Sequence, residues 1–175
     1  MRQTGLTIIE LLIGCAIAAL LVASTSSFTR LLAELEAERD IHRLRAALAY
    51  ARSAAITGGA PVTLCPLDTG ESRCDGDWSR GFSVFTDAED KGERGPTEPL
   101  LRIFEGTAAP NRLVLRAFRT QRYFRFLANG QTDWQNGRFV RCPGRPDIAA
   151  LVLVINVQGR VRLERPETGD LSRCI

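Results

Sequence analysis

No proline or glycine interrupts the chain between Gly14 and Gly58, and such a segment favours one long helix. Apolar residues recur at helical spacing in its second half, at positions 41, 44, 48, 51 and 55. The paired Gly58 and Gly59 supply a stop signal. The sequence therefore predicts a helix over residues 6–57, whose second half buries its apolar stripe against a sheet.

The first half of this helix is apolar enough to suggest a membrane. Residues 11–29 carry no charge and would span about 28 Å as a helix, close to the roughly 30 Å of a bilayer's hydrocarbon core. Glu10 stands at the edge of this stretch, although a carboxylate at the centre of a bilayer costs about 2.5–3.5 kcal/mol. A secretory signal peptide and a plain membrane anchor are two interpretations, and neither accounts for the glutamate.

The stretch GLTIIELLIG, which begins at Gly5, resembles the processing site of type IV prepilins and type II secretion pseudopilins. The resemblance implies that a prepilin peptidase cuts after Gly5 and that the new N-terminal residue, Leu6, is N-methylated. The family usually has phenylalanine where this chain has Leu6. The resemblance also implies that Glu10 pairs with the N-terminal ammonium of a neighbouring subunit in the membrane. A carboxylate is tolerated in the membrane when it is paired with such a cation. Residues 1–5 would be a leader, residues 6–27 a transmembrane and assembly segment, and residues 28–175 a periplasmic globular domain.

Eight short segments in the rest of the chain are typical of β-strands, because apolar and β-branched residues alternate between turn-forming residues. They cover residues 61–65, 82–86, 100–104, 113–118, 123–127, 138–142, 149–157 and 160–164. Residues 87–99 are charged and rich in turn formers, and we expect a mobile, solvated loop there.

Four stretches in the strand region are similar to the GspH/FimT family of minor pseudopilins. They are VTLCP, DWSRGFSVFTD, FRFLANG and QGRVR, and they extend from Val62 to Arg162. The resemblance implies an α+β, pilin-like fold. In this fold a long N-terminal helix, with its first half in the membrane, packs on a two-sheet, mainly antiparallel β domain.

Four cysteines lie in the strand region, and a fifth, Cys15, lies in the apolar run. Their spacing lacks the close C-x2-C pairs of a zinc site, and disulfides are the rule in an exported domain. Four cysteines allow three pairings. We favour Cys65–Cys74 and Cys142–Cys174, because each pair brackets a contiguous segment. Free buried thiols in a cytosolic protein are the other interpretation.

The charges are unevenly distributed along the chain. Residues 1–99 hold 10 basic and 14 acidic side chains, whereas residues 100–175 hold 13 arginines and 6 acidic side chains. The C-terminal part is therefore a basic surface suited to an acidic partner. With one histidine, His42, and no nucleophile, phosphate-loop or zinc motif, the sequence indicates a non-enzyme without metal or cofactor.

The stretch GRVRLER, residues 159–165, is the most specific functional feature of the C-terminal part. Strand alternation puts its first two arginines and the glutamate on one face, toward solvent, and Val161 and Leu163 on the other, toward the core. Gly159 supplies the preceding turn, with no side chain to block a close backbone approach.

The G-R-x-R pattern in this stretch resembles the motif of the FimT-type branch, whose members bind DNA in natural transformation. The resemblance implies that Arg160 and Arg162 contact DNA beside Gly159. We expect further arginines to extend and flank this patch: Arg165, Arg138, Arg141 and Arg145. The other interpretation is that charged residues on an exposed edge strand prevent edge-to-edge aggregation.

Together these features predict a minor type IV pilin. It would cross the inner membrane once, with its C-terminal domain in the periplasm, and then enter a pilus or pseudopilus. Its expected partners are other pilins, the prepilin peptidase, the inner membrane before assembly, and DNA, bound without sequence preference for uptake in natural transformation. The alternative is a structural minor pseudopilin of a type II secretion system or type IV pilus that initiates or caps the fibre without binding DNA.

Overall fold

The computed structural model describes residues 7–67, 74, 77–89, 92–172 and 174, without the side chains of residues 23–27. The predicted leader, the cleavage site between Gly5 and Leu6 and the methylation of Leu6 lie outside the described residues. The chain divides into two compact units, Met1–Glu36 and Ala37–Ile175.

The first unit contains the beginning of helix α1, which runs over Ile8–Gly58. The N–H and the hydroxyl of Thr7 both donate to Oε2 of Glu10 at 3.0 Å, and the N–H of Glu10 donates back to the Thr7 hydroxyl at 3.4 Å. This capping box satisfies backbone N–H groups at the start of the helix. Within the described ranges no helix is both long and apolar enough to span a bilayer, and the transmembrane segment over residues 6–27 stays a prediction.

The second unit contains the remainder of α1, eight strands, a short 3-10 turn and a C-terminal helix in its described part. All eight predicted strands are present, each end lying within two residues of its predicted position. The elements are β1 (Val62–Pro66), the 3-10 turn (Trp78–Arg80), β2 (Gly81–Thr86), β3 (Leu100–Glu105), β4 (Arg112–Ala117), β5 (Phe124–Phe126), β6 (Gly137–Cys142), β7 (Leu151–Ile155), β8 (Val161–Glu164) and α2 (Thr168–Leu171).

The strands form two four-stranded sheets in the described part of the chain. Sheet one has the order β3-β2-β1-β5, and sheet two has the order β4-β6-β7-β8. Every pairing between these strands is antiparallel. Strand β8 is therefore an edge strand of sheet two. It contains Arg162 of the G-R-x-R motif and directly follows Arg160.

The core joins the second half of α1 to the inner faces of both sheets. The predicted apolar stripe is buried, and the T-shaped contact of Trp78 with Phe139, at 4.9 Å between ring centroids, links the 3-10 turn to sheet two. The helix contributes Ile41, Leu44, Ala47, Leu48, Ala51 and Ala55. This arrangement confirms the predicted α+β class, a helix packed on two antiparallel sheets.

Both predicted disulfides are present. Cys65 is bonded to Cys74 with an S–S distance of 2.05 Å, and Cys142 is bonded to Cys174 with an S–S distance of 1.96 Å. Cys142 ends β6 and Cys174 follows α2. The second disulfide therefore ties the C-terminal tail to sheet two.

The described residues of the segment 87–99, which are 87–89 and 92–99, are hydrogen-bonded to buried acids, in contrast to the solvated loop expected from its composition. Asp87 is fully buried, and Glu98 is 6% exposed. The carboxylate of Glu98 accepts the N–H of Gly95 at 2.7 Å and that of Glu89 at 3.2 Å. Composition alone suggested solvent exposure, but these two carboxylates have partners inside the domain.

Candidate nucleic-acid interface

The turn before β8 is shaped by Gly159. Its φ of 74° lies in the left-handed region, and a Cβ there would stand 2.6 Å from the carbonyl oxygen of Gly130. Its N–H donates to the Asn156 carbonyl at 2.9 Å, and its own carbonyl accepts a hydrogen bond from Arg52 of α1 at 3.1 Å. Only glycine fits such a turn without strain, so the glycine of the G-R-x-R motif fixes where the next residues emerge.

Strand β8 presents its arginines to solvent as the alternation predicts. Arg160 and Arg162 are exposed, and Val161 packs against the core. Leu163 was also expected in the core, but it is 56% exposed. That expectation is wrong, because β8 is an edge strand and its inward face has a neighbouring strand on one side only.

Three arginines lie in one line across the outer face of sheet two. Arg116 is opposite Arg138, Arg138 is opposite Val154, and Val154 is opposite Arg162. With about 4.8 Å between neighbouring strands, the line extends over roughly 14 Å. We call Arg116, Arg138 and Arg162 the arginine row.

Asp170 of α2 holds the first two members of the arginine row. Its carboxylate lies 3.1 Å from Arg116 and 3.0 Å from Arg138. Burial on its own would raise the pKa of Asp170, but the N–H of Glu167 donates to the carboxylate and both guanidinium groups are close. The pKa of Asp170 therefore lies below its ordinary value, and the ionised carboxylate is a fixed partner for the two arginines.

The β8 end of the patch is less fully neutralised. Arg162 pairs with Glu164, whose other oxygen lies 3.3 Å from Arg138. Arg160 and Arg165 are exposed, and neither forms an ion pair with another described residue. Of the predicted contacts, Arg160, Arg162 and Arg165 are thus the ones most open to a ligand, whereas Arg138 is held among carboxylates.

Arg141 lies on the inner face of sheet two, opposite to the face that carries Arg138. Its side chain is 1% exposed, with Nε 3.5 Å from Oδ2 of Asp40 on α1. Burial raises the pKa of Asp40, although the guanidinium groups of Arg141 and Arg43 oppose this rise. The expectation that Arg141 flanks the patch is wrong, because strand faces alternate and three positions separate it from Arg138.

Arg145 also lies apart from the patch. It follows the end of β6 at Cys142, whereas the Gly159 turn is beside the start of β6 at Gly137. The length of β6 separates these two ends by roughly 17 Å. Arg145 is exposed and binds Asp147 through two nitrogens at 3.0 and 2.9 Å, so its expected place beside the Gly159 turn is corrected.

The long helix on two antiparallel sheets is a pilin-like fold, and solved structures of minor pilins share it. Type IV minor pilin FimU of Pseudomonas aeruginosa is 27% identical, with a TM-score of 0.59 over 74% of this chain and 88% of FimU. The minor pseudopilin EpsH from the type 2 secretion system of Vibrio cholerae is 16% identical, with a TM-score of 0.53 over 75% of this chain and 98% of EpsH. The EpsH likeness shows the shared fold.

The chain belongs to the GspH family, described as type II transport protein GspH, whose sequence pattern matches residues 40–159. It is therefore a minor pilin or pseudopilin of a type IV pilus or type II secretion system, from a family of structural proteins that are membrane-anchored and then assemble with other pilins. No curated protein matches the chain. The family match ends at Gly159, so the arginines of β8 lie beyond it.

Proposed function

We propose that this minor pilin binds DNA without sequence preference for uptake in natural transformation. Arg160 and Arg162 are the main contacts, and Arg165 extends the site. The supporting observation is the Gly159 turn, which delivers two exposed arginines to the open edge of sheet two. Guanidinium groups suit phosphate oxygens, and phosphate contacts carry no sequence information.

The carboxylates around the arginine row favour weak binding. Asp170 and Glu164 already occupy much of the hydrogen-bonding capacity of Arg138 and Arg162. A phosphate has to compete with these partners, whereas Arg160 is open to it. Affinity should therefore depend on a few arginines and fall with added salt.

The double substitution of Arg160 and Arg162 by glutamine tests this site. In the full-length chain in non-ionic detergent, it is expected to weaken DNA binding and to flatten the slope of log K against log salt by about 1.5, because two phosphate contacts are lost. The midpoint of thermal unfolding should barely change, since both side chains are exposed. Fluorescence anisotropy of a labelled oligonucleotide across a salt series measures the binding.

The matched control replaces Arg102 and Arg145 by glutamine. Both are exposed: Arg102 lies in β3 of sheet one, and Arg145 follows β6 at the far end of sheet two. This control changes the net charge by the same amount, but its slope of log K against log salt should stay near that of the parent chain. Equal effects of both double variants would point to a diffuse charge effect and reject the site.

A structural role without DNA binding is the second candidate function. The ion pairs of Arg138 with Asp170, Glu164 and Glu167 favour this second function, because an arginine with three carboxylate partners in the domain stabilises the fold. Such a chain would initiate or cap a fibre of a type II secretion system or type IV pilus. No binding by the parent chain at low salt would establish this candidate over the first.

We also propose that a prepilin peptidase cuts this chain after Gly5 and that Leu6 is then methylated. Residues 6–27 cross the inner membrane once, with the C-terminal domain in the periplasm, and Glu10 guides assembly from this membrane.

The Glu10→Gln variant separates two roles of the side chain, because glutamine keeps an acceptor for the capping box with Thr7 but loses the charge that meets a neighbour's ammonium. We expect normal cleavage and methylation by mass spectrometry, with strongly reduced amounts in sheared fibres. Parent-level incorporation would contradict the pairing, and a mature N-terminus near Ser24 would contradict the cleavage.

A further inference from the structure

A second line of residues crosses the outer face of sheet two beside the arginine row. The N–H of Phe118 donates to the Asn136 carbonyl at 3.1 Å, which continues the β4–β6 ladder by one residue. The N–H of Asn156 likewise donates to the Arg160 carbonyl at 3.2 Å and continues the β7–β8 ladder. Because alternate residues share a face, Phe118 and Arg160 lie on the same outer face, about 14 Å apart across three strand spacings.

One groove, of about 430 Å³, lies between α1 and the Gly159 turn. A second groove, of about 420 Å³, lies at the Phe118 end of sheet two and is the one that concerns Phe118. The second is lined by Arg116, Phe118, Gln121, Asn136, Arg138 and Val154, among others. Its polar lining comprises two guanidinium groups and two side-chain amides.

Phe118 is the unusual member of this groove. Its side chain is 84% exposed, although a large aromatic ring on a sheet normally packs against neighbours. Gln121 and Asn136 beside it are exposed, and their side-chain amides form no hydrogen bond with another described residue. An open ring, free amides and nearby guanidinium groups together offer stacking, base-edge and phosphate contacts at one place.

We infer that this groove binds an unpaired base of single-stranded DNA, with Phe118 stacking on the base. The inference rests on the proposed function and specifies the form of its partner. The side-chain amides of Gln121 and Asn136 each offer a donor and an acceptor, so they can meet the edge of any base. An adjoining phosphate competes with Asp170 for Arg116. A strand that continues across the sheet reaches Arg160 within a few nucleotides.

A single strand fits these residues better than a duplex does. The face of a base is available for stacking on a side chain only when the base is unpaired and unstacked from its neighbours. The two arginines that line the groove are held by Asp170 from outside it, so a strand bound there depends mainly on the ring and the side-chain amides. A neighbouring pilin could cover the same face, and the experiment separates these occupants.

The test uses the full-length chain in non-ionic detergent with a single-stranded oligonucleotide and its duplex. Phe118→Leu keeps an apolar side chain but removes the ring. It is expected to weaken single-strand binding by about 5- to 150-fold, the range for loss of one stacked base, with little change for the duplex. The slope of log K against log salt should stay constant, because no phosphate contact is removed.

Phe118→Trp and Trp134→Leu are the companion variants. Phe118→Trp restores a stacking ring and should recover single-strand binding. Trp134→Leu makes the same kind of change at a residue that is 72% exposed but does not line the groove, and it should have little effect. Equal losses in Trp134→Leu and Phe118→Leu would overturn the inference.

The outcomes also distinguish failure of this inference from failure of the proposed function. If Phe118→Leu binds single strands as the parent chain does, while the Arg160 and Arg162 double variant loses binding, the groove is excluded and the proposed function stands. If the parent chain binds no DNA at low salt, both are rejected. If Phe118→Leu keeps DNA binding but reduces incorporation into fibres, the face is occupied by a neighbouring pilin.

Discussion

Replacement of Asp87 by asparagine is expected to lower the free energy of unfolding by about 3–5 kcal/mol, the usual cost of removing one partner from a buried ion pair. Arg125 is 2% exposed, and its Nε donates to Oδ2 of Asp87 at 3.0 Å. The same oxygen accepts the Thr63 hydroxyl at 2.7 Å and the Gly92 N–H at 3.0 Å. Asparagine retains an acceptor for these neutral donors but leaves the guanidinium charge buried without its closest carboxylate.

Urea unfolding followed by fluorescence measures this effect, because Trp78 is buried in the core. The control is Glu93→Gln, which breaks an exposed ion pair with Arg122 at 3.3 Å and should cost less than about 1 kcal/mol. Joint replacement of Asp87 by leucine and Arg125 by methionine should recover much of the loss, since no charge stays buried. A loss below about 1 kcal/mol for Asp87→Asn would show that this pair contributes little to the fold.

Loss of the Cys142–Cys174 disulfide is the second change with a large expected effect. The bond closes a segment with a sequence separation of 32 residues, and the chain-entropy description assigns such a loop about 3.7 kcal/mol. The double replacement by serine should lower the free energy of unfolding by about that amount. It should also release the tail that carries Asp170, and so remove this carboxylate from the guanidinium groups of Arg116 and Arg138.

Removal of the Cys65–Cys74 bond is the matched comparison. Its sequence separation is 9 residues, which corresponds to about 2.6 kcal/mol. It does not hold the C-terminal tail, so it should leave hydrogen exchange at the described N–H groups of α2 unchanged. An equal or larger loss from this shorter loop, or unchanged exchange in α2 without Cys174, would contradict the role given to the longer one.

The elements of the fold could be predicted from the sequence because their signals are local. Alternating apolar residues and turn formers marked all eight strands, and a stretch free of glycine and proline marked α1. The Thr7 to Glu10 spacing carries a capping signal as well, although the prepilin resemblance draws attention to the membrane role of Glu10 first.

The candidate site could be predicted only in part, because its charge partners come from distant segments. The alternation identified Arg160 and Arg162 as exposed, but nothing local showed that Arg138 would meet Asp170 or that Arg141 would meet Asp40. The arginine row depends on the order β4-β6-β7-β8. Nothing local in the sequence marked Phe118 as a site residue for the same reason, since its neighbours on the face belong to other strands.

The open edges of the two sheets each carry an exposed arginine: Arg102 on β3, Arg112 on β4 and Arg162 on β8. The remaining edge, β5, is occupied by the bridge between Phe126 and Thr132. Unpaired strand edges readily add strands of another molecule, and charged side chains there discourage this. The arginines of β3, β4 and β8 should therefore discourage neighbouring copies in a fibre from pairing the edges of their sheets.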